Sequence, residues 1–203
     1  MNLFNKSIKQ ILLFFLILFV TASCGVVRQG KQMAALAKCE FRIESVTNLN
    51  LAGISVQDIK SISDLTIMDA QQLIRSLSSN TFPLNLTLTI EARNPNSSMA
   101  GMNKMEWILF IDDIQMTSGS VDQPVSIPGN NGTAIIPVQM DLDLKQILQG
   151  KSVDAIINFG LNLAGKGNTP TRFTIKLKPT IMIGKNAVVY PGYITVKTEF
   201  VSQ

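Results

Sequence analysis

The chain has 203 residues, 46% of them apolar and 16% charged, which bounds it to about one globular domain and excludes extended disorder. Its 18 basic and 14 acidic side chains give a net charge of +4; without Lys6 and Lys9 of the first 23 residues the net is +2 with no basic stripe, which argues against a nucleic-acid partner. Histidine is absent and the two cysteines are Cys24 and Cys39, so His-based triads, His metal sites, zinc sites and disulfide frameworks are excluded, and no metal or cofactor is expected.

The N-terminus reads as an address. Lys6 and Lys9 form a positive leader, and Ile11 to Val20 is an unbroken apolar run of ten residues. A bilayer span needs about 20, so the run fits the core of a secretory signal instead. Thr21-Ala22-Ser23-Cys24-Gly25 then resembles a bacterial lipobox, with Thr21 standing where an aliphatic residue is usual. The expectation is a lipoprotein signal peptide over 1–23, cleavage before Cys24, and acylation of Cys24, with palmitate among the chains. The alternatives are an ordinary cleaved signal or a short membrane anchor. Gly25, where retained lipoproteins carry Asp, implies transfer to the outer membrane of a diderm bacterium. Residues 25 to 38 hold no acid, which favours the periplasmic face over the cell surface. Residues 24–39 are expected to be the lipidated N-terminus and tether, with Gly25 to Lys38 reaching about 45 Å if extended. Arg28, Lys31 and Lys38 either lie against anionic head groups or are simply solvated.

The remainder, 40–203, reads as one all-β domain with two short helices. Phe41–Val46 and Leu49–Ile54 are short β-like runs split by Thr47-Asn48. Leu84, Leu86, Leu88, Ile90 and Ala92 alternate with polar residues, a period of two that marks a half-buried strand. Next comes a capping box at Asp69 and Gln72, with Ile67 and Leu73 as staple, opening a helix whose apolar face is Ala70, Leu73, Ile74 and Leu77. Met105–Ile111 is apolar on both faces, as in a strand covered on both sides. Asp112-Asp113 reads as a turn and Asn131-Gly132 as a hairpin turn. Ala134 to Leu142 alternates again, and Asp143 with Gln146 caps a second helix stopped by Gly150. Ile157 to Leu163, Phe173 to Ile183 and Ile194 to Phe200 complete about eight strands, and Pro179 marks an edge or a bulge. The pattern fits an antiparallel β-sandwich or a barrel.

Candidate chemistry dissolves on inspection. Gly160 to Lys166 imitates a phosphate loop, but Gly167 replaces the magnesium-binding hydroxyl and a strand replaces the required helix. Asp141 and Asp143 lack the further oxygens and turn glycine of a calcium loop. Asp112 and Asp113, adjacent on an extended chain, point to opposite faces. Cys39 has no histidine to activate it, and no Ser-x-x-Lys occurs. No catalytic residue is expected. Asn94-Pro95-Asn96 does stand out. Pro95 forces extended geometry on Asn94 and lacks a ladder donor, while Asn96 tolerates a turn, so the strand ends there sharply.

Around that tripeptide the order is an alternating strand, Asn94-Pro95-Asn96, a strand from Trp107 to Ile111, Asp112-Asp113, Gly119, Pro124 to Pro128, Gly132 and a strand to Leu142. This resembles the type-2 late-embryogenesis-abundant family, also called the WHy domain, over 84–149 and out to about 200. The resemblance implies a small β-sandwich of fibronectin-III or immunoglobulin-like architecture with no established active site, so Asn94, Pro95 and Asn96 enter as a structural turn. Residues 40–80 depart from the minimal domain. Two functions follow as expectations. One is a non-enzymatic, lipid-anchored protein with an envelope-structural, stress-protective or protein-interaction role, its partners the membrane through Cys24 and an envelope protein. The other is a carrier or sensor of an apolar ligand such as lipid, held between the sheets by Met and Phe side chains.

Overall fold

The computed structural model describes residues 31–56, 59, 64–147, 171–183 and 185–200. The signal segment, Cys24, Gly150, the Ile157–Leu163 run and the Gly160–Lys166 loop lie outside those residues. In chain order the strands are β1 (Glu40–Leu51), β2 (Ile54–Ser55), β3 (Pro83–Asn94), β4 (Ala100–Met102), β5 (Lys104–Ile111) and β6 (Ile114–Val121). They continue with β7 (Val125–Ile127), β8 (Gly132–Asp143), β9 (Thr171–Ile183), β10 (Asn186–Val189) and β11 (Ile194–Phe200). Two helices, α1 (Ile67–Ser78) and α2 (Leu144–Ile147), and a helical turn over 31–36 accompany them.

The fold is an all-β antiparallel sandwich. One sheet has the order β2-β1-β3-β8; the other has β10-β9-β5-β6, with β11 also on β9; β4 and β7 form a separate ribbon. β3 shows why the chain builds such sheets. Leu84, Leu86, Leu88, Ile90 and Ala92 are at most 2% exposed, while Asn85 and Arg93 face water. Each large aliphatic side chain so buried contributes about 1.5–3 kcal/mol. The facing layer comes from Met105, Trp107, Leu109 and Ile111 of β5 and Phe173, Ile175 and Leu177 of β9. One core joins both layers.

Several local expectations shift. β1 is continuous where a break was expected, because Asn48 takes a left-handed φ of 53° and absorbs the irregularity as a bulge. The helix cap sits three residues earlier than the Asp69–Gln72 reading: Thr66 caps α1, with Asp69 closing the box from the third helical position. The Thr66 hydroxyl and N–H also hold the Asp69 carboxyl below its usual range. Of the expected apolar face, Leu73 is buried and Leu77 partly so, whereas Ala70 and Ile74 are exposed, as are Ile67, expected as the staple, and Met68 beside it. Asn130 and Asn131 are the left-handed pair, one position ahead of Asn131-Gly132, and they join β7 to β8 without a hairpin, since β7 pairs with β4. Asp112 and Asp113 do make a two-residue hairpin turn, both at positive φ, and Arg172 bridges them at 3.6 and 3.2 Å.

Pro179 lies in the middle of its sheet. Its missing donor is accommodated by a break on one side, where β10 ends at Val189 opposite Thr180 and β11 resumes at Ile194 opposite Leu177. The expected second cover over β5 is absent among the described residues: Ile108 and Phe110 form a half-buried outer row, and Lys176 lies 4.7 Å over the Phe110 ring. Asp143 accepts from the N–H groups of Phe82 and Lys145, so it caps α2. Lys145 Nζ reaches the carbonyls of Leu77 and Ser79 and caps the C-terminal end of α1. No helix among the described residues is long and apolar enough to cross a membrane.

Candidate functional site

The Asn94-Pro95-Asn96 tripeptide lies where β3 stops, at the end of the sandwich away from α1 and α2. Asn94 is fully buried, and its amide uses all of its hydrogen-bonding capacity. Nδ2 donates to the carbonyls of Ser98 at 2.9 Å and Ile127 at 3.0 Å. Oδ1 accepts from Asn96 N–H at 3.1 Å and from Asn96 Nδ2 at 2.7 Å. Pro95, exposed between them, has no N–H to satisfy.

The backbone of the same turn receives the loop before β8. Asn131 N–H donates to the Asn94 carbonyl at 2.9 Å and Asn130 N–H to the Asn96 carbonyl at 2.6 Å. The left-handed φ of both residues aims these donors inward. Gly129 fits because a Cβ there would stand 2.5 Å from the Ser97 carbonyl oxygen. Asn96 Nδ2 also donates to the Ala35 carbonyl at 3.0 Å. That bond fastens the helical turn over 31–36 to the sandwich, with Ala35 and Leu36 buried beneath it. The end of the segment expected to be tether is therefore packed against the domain, and the tripeptide is a clamp joining four stretches of chain.

Amides and carbonyls build this hub, so it offers neither a nucleophile nor an acid–base pair. Cys39, next to it, donates its thiol to the Ala35 carbonyl, and burial pushes its pKa up to about 11, the opposite of activation. On the outer face nearby, Arg42 grips Glu91 through two bonds of 2.8 and 2.9 Å, and Arg93 meets Glu40 at 3.1 Å. The hydrogen bond from Arg42 holds the Glu91 carboxyl below its usual range. These four side chains and Phe41 line a shallow depression of about 520 Å³. Asp141 accepts from Asn85, and Asp143 is engaged through Oδ1 as a cap. Among the described residues no group of three or more Cys, Asp and Glu side chains is placed to hold a metal ion.

Gly119 carries a second constraint. It pairs with Trp107, and a Cβ on it would lie 2.5 Å from the indole ring, so the ring lies flat on the glycine at the sheet edge. The sequence pointed to Asn94-Pro95-Asn96 and Gly119. The partners of the hub, Ala35, Ser98, Ile127 and the Asn130-Asn131 pair, carry no local signal that could have named them.

A family model described as late embryogenesis abundant protein (LEA_2) matches residues 89–191, a span that includes the hub, Trp107 and Gly119. No curated protein matches the chain. Among solved structures, a protein from Archaeoglobus fulgidus is similar at 17% identity and a TM-score of 0.36, covering 62% of this chain and 89% of its own. A structure described as a late embryogenesis abundant protein is similar at 12% identity and a TM-score of 0.40, covering 92% and 88%. A protein from Arabidopsis thaliana is similar at 13% identity and a TM-score of 0.41, covering 79% of each chain.

Proposed function

The chain belongs to the late embryogenesis abundant protein family (LEA_2), and from that premise we propose that it is a non-enzymatic, lipid-anchored lipoprotein of the bacterial envelope. In this reading the sandwich is a WHy-type domain held at the periplasmic face of the outer membrane by acyl chains on Cys24. Its role is structural, stress-protective or protein-binding. The observation that carries the reading is Cys24 itself, set after Ile11–Val20 and Ala22-Ser23. Several acyl chains at ~0.8 kcal/mol per buried CH₂ make such attachment effectively permanent.

The hub supports the same reading from the other side. With Leu36 buried and Ala35 bonded to Asn96, the chain from Cys24 to the helical turn can span at most about 20 Å, the full extension of six residues. The domain is then held near the lipid head groups. The space between the sheets is filled by side chains such as Leu88, Ile90, Leu109, Ile111 and Phe173, none of them exposed, so the observations favour an interacting scaffold over an apolar-ligand carrier.

The test is metabolic labelling with a palmitate analogue in a diderm host. The parent chain is expected to label and to sediment with outer membranes through a high-salt wash. Cys24→Ala is expected to lose the label and remain unprocessed by the lipoprotein-specific peptidase. Undiminished labelling of Cys24→Ala would overturn the proposal.

A further inference from the structure

Counted over their strands alone, the two outer faces of the sandwich differ in charge. On the β2-β1-β3-β8 sheet the outward charged side chains of the strands are two basic, Arg42 and Arg93, against four acidic, Glu40, Glu44, Glu91 and Asp141. On the other sheet the strand register sets five basic side chains against two acidic ones, Glu106 and Glu199. Two of the five are engaged: Lys104 pairs with Glu106 and Asp122, and Arg172 with Asp112 and Asp113. Lys176 and Lys178 on β9 and Lys197 on the edge strand β11 remain, and none of them makes an ion pair within 4.0 Å among the described residues.

Apolar groups interleave with these lysines. Lys176 lies over Phe110, and Lys178 lies 5.3 Å over the Tyr193 ring. Thr180 pairs with both Lys104 and Val189, which puts Val189 on the same face. Val189 and Tyr193 are each 48% exposed. Ammonium groups seated over surface rings, with an exposed valine and tyrosine beside them, match a bilayer's interfacial layer: phosphate for the ammoniums, the glycerol region for the apolar side chains.

We propose that the outer face of the β10-β9-β5-β6 sheet, through Lys176, Lys178 and Lys197 with Tyr193 and Val189, docks on an anionic phospholipid surface. The charge complementarity selects this face over the acidic one. The proposal rests on the Cys24 anchor and its short tether, which bring the domain within reach of that surface and leave its orientation to the two faces. The sandwich then lies on its side, with the Arg42–Glu91 face turned to the periplasm.

The experiment uses the full processed chain on vesicles of phosphatidylcholine alone and of phosphatidylcholine with about 30% phosphatidylglycerol. Lysine acetylation is read residue by residue by mass spectrometry, with Lys145, bonded at the opposite end, as internal reference. Labelling of Lys176, Lys178 and Lys197 is expected to fall at least five-fold on the anionic vesicles only, and to recover in about 0.5 M salt. Each lysine contributes about five-fold in partition, so Lys176→Gln with Lys178→Gln is expected to weaken docking about 25-fold, read as renewed labelling of Lys197. Equal labelling on both vesicles would overturn the proposal, as would protection on both that rises with protein density, the mark of a contact between copies. Failure of the anchor is distinguishable: the chain would then leave the phosphatidylcholine vesicles altogether, whereas failure of this face leaves it bound with its lysines open.

Discussion

Replacing Asn94 by Ala removes the one residue on which the hub converges. The substitution deletes two donated and two accepted hydrogen bonds. It leaves the carbonyls of Ser98 and Ile127 and the N–H of Asn96 without their partner. A net hydrogen bond is worth about 0.5–1.5 kcal/mol, and a buried group left unpaired costs about 1–3 kcal/mol. With the Ile127 contact buried and the other sites only part-buried, the expected loss is about 3–5 kcal/mol. That is a large share of the roughly 5–15 kcal/mol that holds an ordinary domain together. Urea unfolding followed through Trp107, the sole tryptophan and 5% exposed, reads the loss directly. With a slope near 2 kcal/mol/M the midpoint is expected to fall by about 2 M. Pro95→Ala, at an exposed position with no donor to lose, is expected to cost under about 1 kcal/mol. A loss below about 1 kcal/mol for Asn94→Ala, or equal losses for the two variants, would refute the clamp. Converting all three residues to Ala must then destabilise at least as much as Asn94→Ala alone.

Three further outcomes are expected. Leu36→Ala, at a fully buried position, is expected to cost about 2–5 kcal/mol and to raise the rate of tryptic cleavage after Lys38; an unchanged cleavage rate would show that the helical turn is not docked. Gly119→Ala is expected to displace the Trp107 ring and cost about 1–3 kcal/mol, visible as a shifted tryptophan emission. Cys39 is expected to react with a thiol reagent at pH 8 about 100-fold more slowly folded than unfolded, read on its own peptide by mass spectrometry, because its pKa moves from 9.0 to about 11. The folded value is the raised one, so the corresponding stability is complete below pH 9.0 and is lost as pH climbs through about 11.

The elements legible in the sequence are those that one face of burial dictates. β3 and β8 announce themselves because every second residue must meet the core while its neighbours meet water. Pro179 suggests an edge or a bulge through its missing donor, but it stands mid-sheet in regular register with β5, and the strand on its other side breaks instead. Errors arose where two local solutions were equally good. Thr66 with Asp69 and Asp69 with Gln72 both satisfy a capping pattern, and only the Thr66 hydroxyl bonds show which one is built. Asn48 builds a bulge where Thr47-Asn48 suggests a break, and Asn130-Asn131 takes the left-handed positions where Asn131-Gly132 suggests a hairpin, since an asparagine at positive φ serves a bulge as readily as a turn.

Other features had no local trace. Ala35 and Leu36 sit in a short basic stretch that reads as a tether, and the contact that fastens it is to Asn96, some 60 positions away. The charge asymmetry was hidden by arithmetic. A net charge of +2 after the signal says nothing about register, and it is the pairing of β9 with β5 and β11 that gathers Lys176, Lys178 and Lys197 on one surface.

The central claim, that a clamped sandwich is held at the membrane by its first residue, is tested most directly by the mass of the mature N-terminal peptide. The protein would be purified from outer membranes of its expression host and digested. The account predicts that the peptide begins at Cys24 and carries the mass of a diacylglycerol, with or without a third acyl chain. A peptide beginning anywhere else, or an unmodified Cys24 in membrane-bound protein, would contradict it.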